Sequence, residues 1–499
     1  MSAGKTEKKK TKKKGIVGRT AGWFDDRLAA SRFVRTALNK IFPDHWSFML
    51  GEIALYAFVV LIVTGIYLTF FFNPSLKETV YNGSYAPLRG VKMSVAYEST
   101  LKISFDVRAG MVMRQMHHWA AIVFLASIVV HLCRVFFTGA FRRPRELNWI
   151  VGVTLLLLAI LNGFAGYSLP DDQLSGTGLR IMYSILLSIP VIGNWAAFLL
   201  FGGEFPSDQI VSRLYGIHIL MVPAAIAIVL GAHLAIMWHQ KHTQFKIVGA
   251  TEDNVVGSPL WPTYASKSVG LLFIVSAVLA ALGGLAQINP IWLYGPFVTE
   301  KVSSASQPDW YMGWLEGALR LMPAWEFRGW GHTIPNPFFP GVLLAGITFG
   351  ALYAWPFLEA RFTKDREPHN VLDRPRDRPV RTALGAATLS FYLVLFLAGA
   401  TDVLAVYFGL SVNSIVFSFR VAVFVVPVIV AVMTHRVCRE LSAAGGGRRK
   451  PPGLYDRSPE GGYESRPAPR PVGAPAGELE PEPLPEAPVE RPQAEPSPR

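Results

Sequence analysis

The stretch MRQMHHWAAIVFLASIVVHLCR, residues 113–134, decides how this chain is read, together with its counterpart GIHILMVPAAIAIVLGAHL at 216–234. Each is an apolar run interrupted by two widely spaced imidazoles. His117 and His131 are 14 residues apart, and His218 and His233 are 15 apart. An α-helix advances about 1.5 Å and 100° per residue, so either interval is roughly 21–23 Å along the axis. Fourteen steps miss whole turns by about 40° and fifteen by about 60°, so each pair keeps to one face. Two such helices side by side offer one His–His pair near each surface of a hydrocarbon core about 30 Å thick. A lone histidine on an apolar helix is ordinarily a packed or hydrogen-bonded residue. Four at matched depth are different, because ionisable groups inside a membrane are costly and tend to be functional. Neutral imidazole is a good iron ligand, and two axial ligands leave no open coordination position, which suits electron transfer. The arrangement fits two stacked bis-imidazole haems on His117, His131, His218 and His233.

The chain has 499 residues, 51% hydrophobic and 12% aromatic, with a positive mean hydropathy. Its apolar residues gather into eight stretches long enough to span a bilayer, at roughly 53–72, 113–137, 149–167, 212–238, 268–287, 338–358, 382–400 and 413–434. Called spans A to H, they predict an all-α polytopic membrane protein, a four-helix haem-binding bundle (A–D) followed by four further helices (E–H). The formal charge of +13 does not indicate nucleic acid, because the basic residues cluster on one side. Seven lysines lie between Lys5 and Lys14, and Arg134, Arg142, Arg143 and Arg145 follow span B. Arg361, Lys364, Arg366, Arg374, Arg376, Arg378 and Arg381 lie between F and G, while the G–H loop has no Lys or Arg. The positive-inside rule then places both termini in the cytoplasm, in a multi-pass cell-membrane protein whose basic residues meet lipid headgroups.

Only two cysteines occur, Cys133 and Cys438, so there is no disulfide framework and no CxxCH haem attachment. Residues 1–19 read as a basic disordered tail and 20–48 as an amphipathic surface helix. The haem-binding bundle takes 49–245 and the second membrane part 246–442; residues 443–499, rich in Gly, Pro and Glu, read as a disordered cytoplasmic tail.

Gly51 and Gly65 on A, and Gly152 and Gly166 on C, repeat the 14-residue interval of span B. A flat macrocycle beside a helix needs positions without a side chain, so these glycines read as porphyrin contacts in place of ordinary small-residue packing. Arg114 and Arg134, each three residues from a histidine toward opposite surfaces, are placed to pair with haem propionates. His118, adjacent to His117, points elsewhere and reads as structural or propionate-side.

With these features in place, residues 40–440 resemble cytochrome b, the quinol-oxidising membrane subunit of cytochrome bc complexes. The likeness rests on the paired histidines, the four glycines, Gly166-Tyr167-Ser168-Leu169-Pro170 after C, and Pro308-Asp309-Trp310-Tyr311 before F. It implies that His117 and His218 bind a low-potential haem near the outer surface. His131 and His233 then bind a high-potential haem near the cytoplasm, both haems being b-type and non-covalent. The 15-residue interval on D departs from the mitochondrial pattern and is similar to the plastid type. The fused eight-span form is similar to actinobacterial cytochrome b. Met49 stands where the plastid form has a haem-linking cysteine, so no covalent third haem is expected.

Pro308-Asp309-Trp310-Tyr311 is similar to the family's Pro-Glu-Trp-Tyr motif. Read by itself it is only a helix start with an acid near its amino end; the resemblance makes it the outer quinol site. Oxidising a quinol releases two protons, so a carboxylate in an apolar pocket is a suitable acceptor. Asp309 is the expected acceptor, directly or through water, with Trp310 and Tyr311 walling the pocket. Glu316, balanced by Arg320, is a second carboxylate candidate. The opposite wall is expected from Tyr167, Pro170 and Gly178, with Asp171 and Asp172 making its mouth more polar than in the mitochondrial form. Candidates for the inner quinone site are His239, Lys241, His242, Asp253 and Lys267, with His242 foremost. Ser268 stands where mitochondrial proteins carry an aspartate.

The resemblance thus implies the cytochrome b subunit of a quinol–cytochrome c reductase, a translocase active only within its complex. Quinol gives one electron to a Rieske iron–sulfur subunit and a cytochrome c subunit, and the other through two b haems to the inner quinone, charging the membrane. The chain has no cluster-binding cysteines, so those partners are separate chains. The actinobacterial likeness implies menaquinone, a homodimeric complex and an associated terminal oxidase. Two rivals stand beside this reading: a dihaem membrane anchor of another quinone-linked oxidoreductase, and a cofactor-free transporter using its histidines as a proton relay.

Overall fold

The computed structural model describes residues 16–28, 30–301, 307–329, 331–445, 454–457 and 463–466. Among the described residues, eight helices are long and apolar enough to cross a membrane: Trp46–Thr69, Gly110–Thr138, Glu146–Tyr167, Ile210–Gln240, Leu260–Leu285, Phe339–Thr363, Pro379–Gly399 and Val412–Ala443. They match spans A to H one for one. Large apolar side chains such as Val63 on A, Phe273 on E and Phe424 on H remain exposed, as expected where lipid is the solvent and every backbone bond is kept within the helix.

Span A packs along B, C along D, and E against both A and B. Small residues permit this approach: Ala54, Ala57, Ala120 and Ala159 are buried among Phe58, Phe124, Leu156 and Ile226. F lies on C, and G lies on a further helix, Trp310–Leu321, where Gly317 and Gly399 each face the other helix's backbone with no room for a Cβ. At the basic end of the spans, Arg381 holds Glu359 (Nε–Oε1 3.0 Å) and Asp373 (2.9 Å). Arg142 also reaches Asp373, at 3.2 Å, so the B–C loop is tied to the segment joining F and G.

Between the spans lie shorter helices: Val95–Phe105 after A, Gln173–Leu187 and Gly193–Phe201 after C, and Trp310–Leu321 after E. The amphipathic N-terminal segment forms two helices, Ile16–Leu28 and Ala30–Leu38. The tail expected over 1–19 lies outside the described residues up to 15, as does most of 443–499. Within the latter, Leu454–Arg457 and Tyr463–Arg466 pair as an antiparallel ladder where composition predicts no regular structure.

Candidate haem and quinol site

His117 on B and His218 on D face each other with ring centroids 6.1 Å apart and planes at 78°. With imidazole–metal bonds of about 2 Å plus each ring's own radius, two trans ligands place their centroids roughly 6.3 Å apart. The gap therefore fits one iron atom. The tautomers fit as well. His218 Nδ1 lies 3.0 Å from the Asn162 carbonyl, which only accepts, so Nδ1 carries the proton. His117 Nδ1 lies 2.9 Å from Thr64 Oγ1, whose own hydrogen goes to the Val60 carbonyl at 2.7 Å. Both Nε2 lone pairs are left for a metal, the usual arrangement of a ligand imidazole fixed through its other nitrogen.

The four glycines sit against the four imidazoles. A Cβ on Gly65 would lie 3.2 Å from His117 Cε1, and one on Gly51 would lie 3.3 Å from His131 Cε1. On the other side, Gly152 leaves 3.6 Å to His233 Cε1, and a Cβ on Gly166 would overlap the His218 ring. Expected as porphyrin contacts, these glycines lie against the imidazole rings, which occupy the space a side chain would fill.

This pairing also explains the unequal intervals. Fourteen residues along A match 14 along the antiparallel B, whereas 14 along C match 15 along D. The extra residue is taken up by a π-helical turn at Ile217–Met221, in which the Val222 N–H reaches back five residues to the Ile217 carbonyl. A π-turn holds one more residue than an α-turn and is frequent at functional sites. Pro223 supports it, since proline lacks the N–H that the Ile219 carbonyl would otherwise accept from. The π-turn restores the register between His218 and His233 that a plain helix would miss.

Among the described residues, both predicted propionate arginines have buried N–H groups without a partner. Arg114 donates through both terminal nitrogens to the Asn289 carbonyl at 3.2 Å, leaving Nε free. Arg134 lays its guanidinium 4.2 Å from the Phe48 ring centroid, with Nε and Nη2 unpartnered. Buried guanidinium N–H groups of this kind suit an anionic group carried by a ligand. His131 differs from His117 and His218 in that, among the described residues, its Nδ1 has no partner.

His117, His218, Gly65, Gly166 and Arg114 line a cavity of about 400 Å³ that also reaches Tyr167, Pro170, Asp309 and Tyr311. The expected haem ligands and the expected quinol motif thus share one space. Asp309 begins the helix Trp310–Leu321, yet its carboxylate makes no capping bond. It turns instead to His118, with Oδ1 2.9 Å from Nε2, and Oδ2 accepts from the Tyr311 hydroxyl at 3.4 Å. The helix start read from the motif is present, but the Asp309 carboxylate does not cap it. Tyr311 is buried, its hydroxyl seated over Gly163 of span C.

Other predicted members fall elsewhere. Trp310 and Pro308 do not line the cavity; Trp310 packs against the bundle core instead. Gly178 is absent from the lining and faces open space. Asp172 caps the helix Gln173–Leu187, accepting from Leu174 N (3.0 Å) and Ser175 N (3.3 Å) in a capping box. Asp171 has a left-handed backbone (φ 56°) and a carboxyl pushed up to about 7, chiefly by burial. Neither lines the cavity, so the polar mouth expected of them is not formed there. Glu316 pairs with Arg320 through Oε1, and Arg320 also holds Asp402 at 2.8 Å. Glu316 Oε2 is buried with no partner among the described residues, and burial outweighs the arginine, raising the carboxyl to about 7.

At the basic end of the spans, His242 packs 4.8 Å from the Phe42 ring, and its buried Nε2 has no partner among the described residues. Burial first, then Lys40, Arg134 and Arg145, push it down to about 4. His239, Lys241 and Asp253 are exposed, and Lys267 pairs with Asp44 at 2.5 Å. Sequence reasoning missed Thr64, the role of His118, and Glu52. Glu52 stands at the edge of span A in the sequence; Thr64 and His118 needed the tertiary contacts.

A family model described as Cytochrome b(N-terminal)/b6/petB matches residues 122–296. The chain is 48% identical over 469 residues to the cytochrome bc1 complex cytochrome b subunit of Streptomyces coelicolor, covering 93% of this chain and 86% of the relative. To the subunit of that name from Mycobacterium leprae it is 51% identical over 452 residues, 90% and 82% of the two chains. For Corynebacterium diphtheriae the figures are 50% over 414 residues, 83% and 76%. A solved structure titled Hyperthermophilic respiratory Complex III shares the fold at a TM-score of 0.60 and 20% identity, covering 83% of this chain and all of that one.

Proposed function

The chain belongs to the actinobacterial cytochrome b subunits of cytochrome bc1 complexes, the membrane subunit of quinol–cytochrome c reductase, and from that premise we propose that it binds two b haems and oxidises quinol beside Asp309. Membership sets aside the transporter and the anchor of another oxidoreductase. His117 and His218 hold the outer haem, and His131 and His233 the inner one, with Arg114 and Arg134 toward their propionates. When bound, the haems supply one-electron transfer between the two membrane faces.

The chain's own residues supply the rest. Tyr167, Pro170 and Tyr311 wall a largely apolar space beside the outer pair, suited to a hydrophobic quinol. Asp309 receives a proton from the quinol hydroxyl, and His118 holds its Oδ1 toward that space. Glu316 stands two turns further along the same helix as a second acid. His242 serves the inner quinone site. A Rieske subunit and a cytochrome c subunit take the other electron, within a dimeric assembly that works on menaquinol and associates with a terminal oxidase. Both termini are cytoplasmic, as the basic loops favour.

The observation that carries this reading is the sharing of one cavity by the His117–His218 pair and Asp309. The test is a reduced-minus-oxidised spectrum of the complex with stoichiometric haem, set beside Asp309→Asn. Two b haems with slowed quinol oxidation in the variant are expected. A wild-type rate in Asp309→Asn, or spectra without b-haem bands, rejects it.

A further inference from the structure

Glu52 lies in the first turn of the transmembrane helix of span A, one residue past the glycine that clears His131. Ionisable groups inside a membrane helix are costly and ordinarily have a stated task and a partner. Glu359, another carboxylate that a span carries toward this end, is neutralised by Arg381. Glu52 differs. Oε1 accepts from the Tyr264 hydroxyl at 2.5 Å and Oε2 from Ser268 Oγ at 2.7 Å, while Tyr56 hydroxyl lies 2.5 Å from the same Ser268 Oγ. Among the described residues it makes no ion pair. The nearby cation Lys267 is taken by Asp44. A carboxylate held by hydroxyls alone in a weakly polar setting can carry a proton or release it without breaking a salt bridge, which is what a proton-exchanging acid needs.

The surroundings are those of the inner quinone site. Tyr264 stacks on Phe42 with centroids 4.7 Å apart, and Phe42 also packs against His242 at 4.8 Å. Phe48, which carries the Arg134 guanidinium, stands edge-on to His242 at 6.1 Å. An acid with three hydroxyls, an aromatic spacer and an unpartnered imidazole thus adjoin the inner histidine pair. Ser268 on span E offers no carboxylate of its own; it donates to the one that span A brings.

Resting on the reading of this end of the bundle as the quinone-reducing site, we propose that Glu52 is the acid of that site, with Tyr264 and Ser268 relaying its proton. Quinone reduction takes two electrons, delivered one at a time from the inner b haem, and two protons. For one of these the O–H bond at Glu52 breaks as an O–H bond forms at a quinone carbonyl oxygen. The carboxylate left behind regains its proton from water on the same face.

The test uses the intact complex with its iron–sulfur partner held reduced by ascorbate, so that the outer site cannot turn over. Reoxidation of reduced b haem by 2,3-dimethyl-1,4-naphthoquinone is followed in wild type, Glu52→Gln and Glu52→Asp. Glu52→Gln is expected to slow it on the order of 100-fold with haem content intact, the usual size of a lost acid, while Glu52→Asp recovers most of the rate. Redox-difference infrared spectra are expected to lose a deuterium-sensitive carboxyl band in Glu52→Gln alone. A wild-type rate with the band retained in Glu52→Gln overturns the assignment. Should that variant lose haem, Tyr264→Phe and Ser268→Ala decide: slowed reoxidation supports the relay, and wild-type rates in both overturn it. If wild-type haem is not reoxidised by the naphthoquinone at all, the quinone-reducing reading itself fails, and the Glu52 assignment with it.

Discussion

Asp309 Oδ1 and His118 Nε2 meet at 2.9 Å across 191 residues of sequence, joining the proposed quinol motif to the residue that follows a proposed haem ligand. Because Asp309 makes no capping bond to its own helix, His118 is what holds the carboxylate toward the cavity. Replacing it frees Asp309 to rotate back onto the helix amide groups, where a carboxylate is also stabilised. We predict that His118→Ala slows quinol oxidation on the order of tenfold or more, with both haems retained. His118→Gln, which still donates, should recover part of the rate. Pre-steady-state haem reduction, read beside total haem content, checks this; a variant as fast as wild type rules it out.

The glycine clearances rank the four sites. Gly166 has no room for a Cβ against His218, whereas Gly152 leaves 3.6 Å to His233. Gly166→Ala should therefore lose the outer haem selectively, while Gly152→Ala keeps the inner one with little change. Displacement of ligand geometry of this sort typically costs about 10–100-fold in metal affinity. Haem quantification with resolved redox titration distinguishes the two; equal retention in both variants contradicts the ranking.

Thr64 accepts from His117 Nδ1 at 2.9 Å. Accepting that hydrogen bond makes the imidazole a stronger donor, which favours ferric iron. Thr64→Val should raise the midpoint potential of the outer haem by roughly tens of millivolts and leave the inner haem unmoved. Spectroelectrochemistry reads both at once. A fall in potential, or an equal shift of both haems, would falsify the tautomer assigned to His117.

Glu316 gives a pH prediction. Burial raises its carboxyl from 4.5 to about 7 in the fold. The native state therefore binds a proton that the unfolded chain has released between those values. The stabilisation is complete below the unfolded value and is lost as pH rises through about 7, by on the order of 3 kcal/mol. Heat-induced haem release should come at lower temperature at about pH 8 than at about pH 5, and Glu316→Gln should flatten that dependence. An unchanged slope in the variant removes Glu316 as its source.

Much of the architecture is visible in the chain itself, because lipid imposes a length and a composition on each span that no tertiary contact needs to supply. The histidine intervals are equally plain, since depth along a helix is arithmetic. What hydropathy and motif spacing do not carry is direction. Nothing local says that Asp309 leaves its helix for span B, or that Trp310 turns into the core while Tyr311 takes the cavity wall. Asp172 is a different case. Its capping box with Ser175 is readable from residues 172–175 alone. Glu52 was overlooked because a carboxylate at a span's end resembles a boundary residue until its hydroxyl partners are seen.

The π-turn at Ile217–Met221 makes span D tolerant of length in one place. Removing a single residue there would return the segment to ordinary α-helix and leave His218 and His233 at the spacing that span B already uses. An added residue anywhere else between the two imidazoles would swing one of them about 100° out of the bundle. Insertions and deletions in this helix should therefore be confined to that turn in any chain that keeps its pigment, and a one-residue deletion there that abolished the outer haem would mean the widened turn has some other purpose.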